Sequence, residues 1–588
     1  HHARLINTAQ GVQIEDAGST NGVYVNGGRV SGRHLVQNED VVQIGPFVLR
    51  VDSASGIAVF DTRSKLRIDA IAITKIVHQP GRASRKLLDD ISLAIEPNEF
   101  VGVLGPSGAG KSMLMNALNG MRRTSSGRVL INNLELYQHI DSLKQSIGYV
   151  PQDDIIHREL TVYRTLYYVA RLRLSRDVPA NEIDQIISEV LDVTGLADRR
   201  DVIVSQLSGG QRKRVSIAVE LITKPSVIFL DEPTSGLDPA TEERIMKLFR
   251  QIAESGRTVI LNTHAMENVR LFDRVVVLLR GKLIFYGTPT EALEFAGANS
   301  FVDLYNKLDA PVESEIAELE SFPPKATKAQ RITYEQRLEE IADGVANEWR
   351  GRFAATDFHR RYIEQPLSLV QQEVQAAPPP RRRGGIIDAL RQWATLVRRY
   401  AEVLASDKWN LAILFGQAPI IALLTYLVVG KNDPRDFPYF ILALVSLWFG
   451  TSVAARELVK ERPIFERERM VNLRLLSYLA SKLFVLSFII GLQTIWLFAT
   501  LKILHFAGLM SLPGYFLGLP QLLVLVLTGM VGIALGLFIS ALVKTSEVAT
   551  SLVPLILIPQ ILFAGLVTVT PLVARHLEGR GFGKKRTQ

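Results

Sequence analysis

Gly105-Pro106-Ser107-Gly108-Ala109-Gly110-Lys111-Ser112 follows the apolar run Phe100-Val101-Gly102-Val103-Leu104. The run predicts a buried strand, and Met113 to Met121 predicts the helix after it. Between them, glycines let the backbone bend until successive N–H groups point at phosphate oxygens. The N-terminus of the following helix adds to that pull on an anion. Lys111 is placed to reach β- and γ-phosphates, and Ser112 to offer its hydroxyl to Mg²⁺. The loop predicts an α/β nucleotide-binding domain that takes ATP and Mg²⁺.

Further residues extend this into a hydrolytic site. Val227-Ile228-Phe229-Leu230-Asp231-Glu232 is an apolar strand ending in two acids. Asp231 is suited to hold Mg²⁺, and Glu232 to act as general base on the attacking water. Gln152, in Tyr149-Val150-Pro151-Gln152, can ligate Mg²⁺ through a neutral amide. His264, after Asn262-Thr263, can hydrogen-bond a γ-phosphate and orient water. Ser235-Gly236-Leu237-Asp238 is a turn just past the base, suited to crossing a dimer interface. Leu207-Ser208-Gly209-Gly210-Gln211 supplies a hydroxyl and glycines that allow close backbone approach to phosphate.

Composition divides the chain of 588 residues. Hydrophobic residues make up 47% and mean hydropathy is +0.15, but the apolar runs crowd the part after Trp409. A net charge of +8 matches the Lys/Arg excess on the cytoplasmic side of membrane proteins, and no basic stripe with interleaved aromatics points to nucleic acid. The absence of cysteine excludes disulfides, thiolate metal sites and cysteine nucleophiles. The opening His1-His2-Ala3-Arg4 reads as the start of a fragment.

Residues 1–52 read as all-β, with turns at Gly18 to Gly22 and Asn26-Gly27-Gly28. Residues 66–300 alternate strand and helix patterns. The charged stretch 301–385, mostly helical in pattern and ending in Pro378-Pro379-Pro380-Arg381-Arg382-Arg383-Gly384-Gly385, reads as a linker. Residues 386–575 read as a membrane domain. Ile386, Leu390, Trp393, Val397 and Leu404 form one face of an amphipathic helix at the membrane surface. Five candidate spans follow, near Trp409–Val429, Phe437–Ala455, Leu479–Leu504, Tyr515–Val543 and Val548–Leu572. Each is long enough for about 30 Å of hydrocarbon. The charged loop after the second span falls on the nucleotide side, while the basic end from Arg575 falls on the far side of a fifth crossing, against the charge rule. Either the fifth run does not cross or the native chain continues differently, and a truncated or altered end is the favoured reading.

Residues 66–290 resemble the nucleotide-binding domain of ATP-binding-cassette (ABC) proteins. They carry its Walker A, Q-loop, signature, Walker B, D-loop and H-loop motifs in order. The resemblance implies that the signature of one chain closes over the phosphate loop of another. Ser208 and Gly210 would then meet the γ-phosphate held by a partner's Lys111. The order of domains, the amphipathic helix and Lys460 to Arg469 resemble the White-type (G-family) half-transporters, in which the charged segment touches the nucleotide domain. Two features depart from these families. No Phe, Tyr or Trp stands between Lys65 and Leu93 to stack on adenine, and no sixth span follows the fifth. His2-Ala3 and Gly18 to Gly27 resemble the second half of a forkhead-associated (FHA) domain, a phosphothreonine reader. The family's phosphate contacts would lie upstream of His2, while Asn21 would hold the peptide backbone.

These readings predict a multidomain chain: an α/β cassette, an all-α transmembrane domain and a partial all-β FHA sandwich. The resemblance implies an ATP-hydrolysing half-transporter acting as a dimer with a second copy or a related half-transporter. It would export or flip a lipidic or amphipathic substrate, in contact with membrane lipids. Its place would be a bacterial plasma membrane, with the nucleotide-binding and FHA parts cytoplasmic. A phosphothreonine protein would be a partner of the intact FHA domain. The alternative is a membrane-anchored phosphoprotein-binding scaffold with a switch ATPase.

Overall fold

The computed structural model of the chain describes residues 3–563, except 9–10, 18–22, 26–27, 31, 38–39, 45–46, 53–55, 62–65, 79–83, 145, 175–177, 264–265, 309–327, 369–385, 429–435, 472, 511 and 513–514. Two compact units divide it, His1–Arg383 and Gly384–Gln588.

The first unit opens with strands whose alternating side chains bury Ile14, Val23, Val25, Val30, Val36 and Val42 together. Ala3–Thr8, Gly11–Asp16 and Arg33–Leu35 form one sheet. Gly28–Arg29, Val23–Val25, Val41–Ile44, Phe47–Asp52 and Gly56–Asp61 form another. The β region therefore runs past residue 52. Gly18 to Gly22, including Asn21, lies outside the described residues.

A six-stranded sheet organises the rest of the unit, in the order Ile147–Val150, Val227–Asp231, Thr258–Asn262, Phe100–Leu104, Arg274–Leu279, Lys282–Gly287. The first five strands pair in parallel, and the last is antiparallel. Their unbroken apolar runs suit a sheet covered on both faces. A second, antiparallel sheet joins Arg85–Ile95, Ile68–Val77, Ser126–Ile131 and Leu134–Glu135.

The stretch expected to be a linker is in part folded into this core. Lys328–Ala354 is helical, and helical turns continue over 357–368. Val345, Ala346, Trp349, Phe353 and Ile363 are buried with the cassette's hydrophobic residues. Phe353 and Phe358 pack their rings on Phe285, with centroids 5.5 and 5.8 Å away. Apolar residues at positions 345, 346, 349 and 353 follow the helical period, and the surrounding charge hides that this face is buried rather than solvated. The proline-arginine run at 378–385 lies outside the described residues.

The second unit is helical: Ile386–Ser406, Lys408–Val428, Asp436–Ala454, Glu457–Met470, Leu475–Phe506, Leu519–Leu542 and Ser546–Phe563. Among the described residues, four helical segments are long and apolar enough to cross a membrane: Lys408–Leu427, Pro438–Arg469, Leu475–Phe506 and Leu519–Leu542. The fifth expected span is described only to Phe563. Small residues bring two of these helices into backbone contact. A Cβ on Gly532 would lie 2.3 Å from the Leu447 carbonyl oxygen, and one on Gly450 would lie 2.1 Å from that of Gly529. At one end, buried ion pairs tie three helices together. Arg399 grips the Glu468 carboxylate with both terminal nitrogens, and Lys482 Nζ lies 2.7 Å from Glu461 and 3.4 Å from the Tyr400 ring centroid.

Candidate functional site: a phosphate-binding edge

Parallel strands gather the predicted residues at their carboxyl ends, where open α/β sheets bind ligands. Register makes the ends flush: Asp231 lies opposite Asn262, and Asn262 opposite Val103. The loop after Leu104, the Gln152 turn after Val150 and Glu232 after Asp231 all leave from this edge.

Two glycines of the loop are obligatory. Gly105 has φ +145°, and a Cβ there would come within 2.3 Å of the Leu278 carbonyl oxygen. Gly110 has φ +100°, and a Cβ there would meet the Leu87 carbonyl oxygen at 2.8 Å. Gly110 also caps the helix Lys111–Leu118, whose N-terminus carries no side-chain cap. Its first N–H groups therefore remain available to an anion. Ser107 and Gly108 are exposed, Pro106 is half-buried, and Ala109 packs into the core. The Gly105 N–H donates to the Tyr305 hydroxyl, so that amide is held from behind the loop.

Lys111 Nζ donates to the carbonyls of Gly105 at 2.7 Å and Pro106 at 3.0 Å. Burial pulls its pKa below the ordinary lysine value, while Glu232 and Asp231 push it back up. Ser112 Oγ donates to Asp231 Oδ1 at 2.9 Å, and Asn262 Nδ2 donates to the same oxygen at 2.7 Å. The Tyr149 hydroxyl points at Asp231 Oδ2 from 3.4 Å, and burial beside that carboxylate raises the phenol's pKa. Asn262 is fully buried, so its amide holds the carboxylate in one orientation. Ser112, Asp231 and Gln152 form a hard-oxygen set that fits Mg²⁺, which takes few protein ligands and keeps phosphate and water oxygens. Among the described residues, no group of three or more His, Cys, Asp or Glu could hold a metal by itself.

Glu232 has φ +44°, in the left-handed region that a non-glycine residue occupies at a cost. Its N–H donates to the Asn262 carbonyl at 3.1 Å, and Gln152 Nε2 donates to its carboxylate at 3.0 Å. The sheet thus brings Gln152, Asp231, Glu232, Lys111 and Ser112 together. His264 lies outside the described residues.

The signature residues stand apart. Ser208 caps the helix Gly209–Leu221 in a reciprocal box: its Oγ accepts from the Gln211 N–H at 3.3 Å, and Gln211 Oε1 accepts from the Ser208 N–H at 3.0 Å. Ser208 and Gly209 are exposed, so the positive end of this helix faces outward. Gly210 is buried, and a Cβ there would lie 2.5 Å from the Thr241 methyl; its absent side chain serves helix packing. Asp238 caps the helix Pro239–Glu254 by accepting from the Thr241 N–H at 3.0 Å. Among the described residues, no hydrogen bond joins Ser208 to Gln211 with the loop Gly105 to Ser112.

Asn262, Tyr305 and Lys213 join the site without a role assigned from sequence. An Asn at a strand end and a Tyr two hundred positions from its partner have no motif. Their roles come from the register and from the helical turn at 301–308.

Known proteins carry the same parts. Residues 88–235 match the family model described as ABC transporter, 391–574 match ABC-2 type transporter, and 1–45 match FHA domain. An ABC transporter ATP-binding/permease protein of Mycobacterium tuberculosis is 31% identical over 97% of this chain and 62% of its own length. ABC transporter G family member 25 of Arabidopsis thaliana is 29% identical, over 82% of this chain and 73% of its own length. A broad substrate specificity ATP-binding cassette transporter of Rattus norvegicus is 31% identical, over 70% and 64%. The chain therefore spans about three-fifths of the mycobacterial relative's length. With a nucleotide-binding cassette, an ABC-2 type membrane domain and an FHA domain in one polypeptide, the chain belongs to the ABC transporters, in the arrangement of the G family.

Proposed function

We propose that the chain is an ATP-hydrolysing half-transporter that works as a dimer and exports or flips a lipidic or amphipathic compound. The observation that carries the reading is an outward-facing signature that, among the described residues, makes no hydrogen bond to the phosphate loop of its own chain. A single chain holds half of each of two sites, and head-to-tail pairing completes both.

In this reading Lys111 leaves the Gly105 and Pro106 carbonyls to hold the β- and γ-phosphates. The loop's N–H groups and the helix N-terminus hold the rest of the phosphate charge. Ser112, Asp231 and Gln152 are the residues that would hold Mg²⁺, which when bound supplies charge neutralisation at the phosphates. Glu232 accepts the proton of the attacking water, and the Gln152 amide keeps its carboxylate aimed. His264 hydrogen-bonds the γ-phosphate. Ser208, whose oxygen is already an acceptor, keeps its O–H free to donate to phosphate on the partner chain. Asp238 lies beside that junction on the exposed start of its helix. Closing and release of the paired cassettes would drive alternating access in the membrane domain.

Export of a lipidic compound and a place in a bacterial plasma membrane are carried over from the resemblance to White-type half-transporters. Regulation through a phosphothreonine protein rests on the FHA match. Full-length protein in lipid vesicles tests the reading. Glu232→Gln is expected to abolish ATP hydrolysis and substrate movement together. Movement that persists without hydrolysis contradicts transport driven by this site. In the same vesicles a phosphothreonine peptide is expected to change the hydrolysis rate; no change removes the regulatory part and leaves the rest. Hydrolysis that responds to the peptide while no lipid, glycan or drug moves favours the scaffold reading.

A further inference from the structure

The helix that presents Ser208 also grips the turn that aims Glu232. Lys213 lies five residues along that helix and is buried, 5% exposed. Its Nζ donates to the Gln152 carbonyl at 2.6 Å and the Pro151 carbonyl at 3.1 Å, and lies 3.8 Å from the Asp154 carboxylate. One helical turn on, Ser216 Oγ donates to that same carboxylate at 3.1 Å. Positions three apart share a helix face, so two side chains of the signature helix hold residues 151–154 as a block. Charge-assisted bonds of a buried ammonium to carbonyls are the stronger kind.

The contact joins two sites that the dimer keeps separate. The signature end of this helix faces a partner's nucleotide, whereas Gln152 serves the chain's own Glu232. The stretch from Ser208 to Lys213 is about 7.5 Å of capped, rigid helix. A small shift of the helix on phosphate capture must move the two carbonyls with it, and with them the amide that aims the base.

We propose that Lys213 is a positioning residue that links nucleotide capture by the signature in one site to the setting of Glu232 in the other. It rests on the paired-site reading above. Lys213 touches neither nucleotide nor reacting atoms; it acts through the Gln152 turn. Burial lowers the pKa of Lys213 below the ordinary lysine value, and the charges of Asp154, Asp153 and Asp231 oppose that shift.

Full-length wild type, Lys213→Met, Lys213→Arg and Ser208→Arg in lipid nanodiscs test this. Hydrolysis rate is measured against MgATP, and nucleotide affinity by equilibrium binding of a fluorescent ATP analogue. Lys213→Met is expected to hold affinity within about twofold while kcat falls about tenfold. The Hill coefficient is expected to fall from near 2 toward 1. Lys213→Arg, which keeps the donors, is expected to recover most of both. Wild-type kcat and Hill coefficient in Lys213→Met overturn the assignment, and so does an equal loss in Lys213→Arg. Should the Met variant not fold, Lys213→Gln decides by the same two quantities, with wild-type values overturning the assignment. Wild-type hydrolysis in Ser208→Arg would instead overturn the paired-site reading. An inactive Ser208→Arg beside a wild-type-like Lys213→Met removes only the role of Lys213.

Discussion

Glu99 precedes the central strand at the end away from the phosphate loop, and its side chain is 15% exposed. Burial raises its carboxyl from the ordinary 4.5 to about 7, against the pull of Arg274 at 3.3 Å and of the Glu96 N–H. The folded-state value lies above the unfolded one, so its stabilisation is full below about 4.5 and is lost as pH rises through about 7. Thermal melting of wild type and Glu99→Gln across that window should differ by a pH-dependent increment on the order of 3 kcal/mol at most. The variant should be the more stable at pH 8, and parallel curves contradict the assignment. At this scale the sequence is readable where chemistry is local. Lys111, Ser112, Asp231, Glu232 and Gln152 were placed by spacing and by strand ends. The cost at Glu232, its left-handed φ, was not readable, because nothing in the side-chain identity forecasts it. Asn262, Lys213 and Tyr305 were hidden for the same reason: their partners are far away in sequence.

Among elements, periodicity is legible, but where a strongly charged helix packs is not. The parallel strands and the amphipathic helix Ile386–Ser406 follow from apolar runs and from one apolar face. The helical pattern of Lys328–Ala354 is legible, but its packing on Phe285 is not, because charged residues surround the positions that make the contact. The membrane helices show the converse limit. Hydropathy marks a span but says little of which face packs, and here small residues decide. Gly529, Gly532 and Gly536 line one face of Leu519–Leu542 against Ser446, Leu447, Thr451 and Ala454. Gly532→Ala forces a Cβ toward a backbone carbonyl that no rotamer change can move, an overpacking cost of roughly 1–3 kcal/mol. Gly491, with open space at its Cβ, is the control. In detergent melting, Gly532→Ala should lower the midpoint while Gly491→Ala leaves it within experimental error. Equal midpoints contradict backbone-level packing of these helices.

At the level of the molecule, the fold classes are legible in the sequence: a β-rich region, an α/β cassette and apolar helices. The resemblance to ABC proteins already implies that the phosphate loop and the signature of one chain serve different sites; what only the fold supplies is how the two are set apart. That follows from the sheet, which gathers one set, and from the capped helix, which turns the other outward. The central claim is that two chains complete each other's sites. The absence of cysteine makes it directly testable, since only introduced thiols can react. Ser107→Cys and Ser208→Cys place one thiol on the exposed loop and one on the exposed signature, in a Glu232→Gln background that retains ATP. The measurement is disulfide formation under mild oxidant, with and without MgATP, followed by non-reducing electrophoresis of the intact protein. The account predicts a band at twice the chain's mass that requires both cysteines and grows with MgATP. Cross-linking confined to single chains, or a double-mass band indifferent to nucleotide, would contradict it.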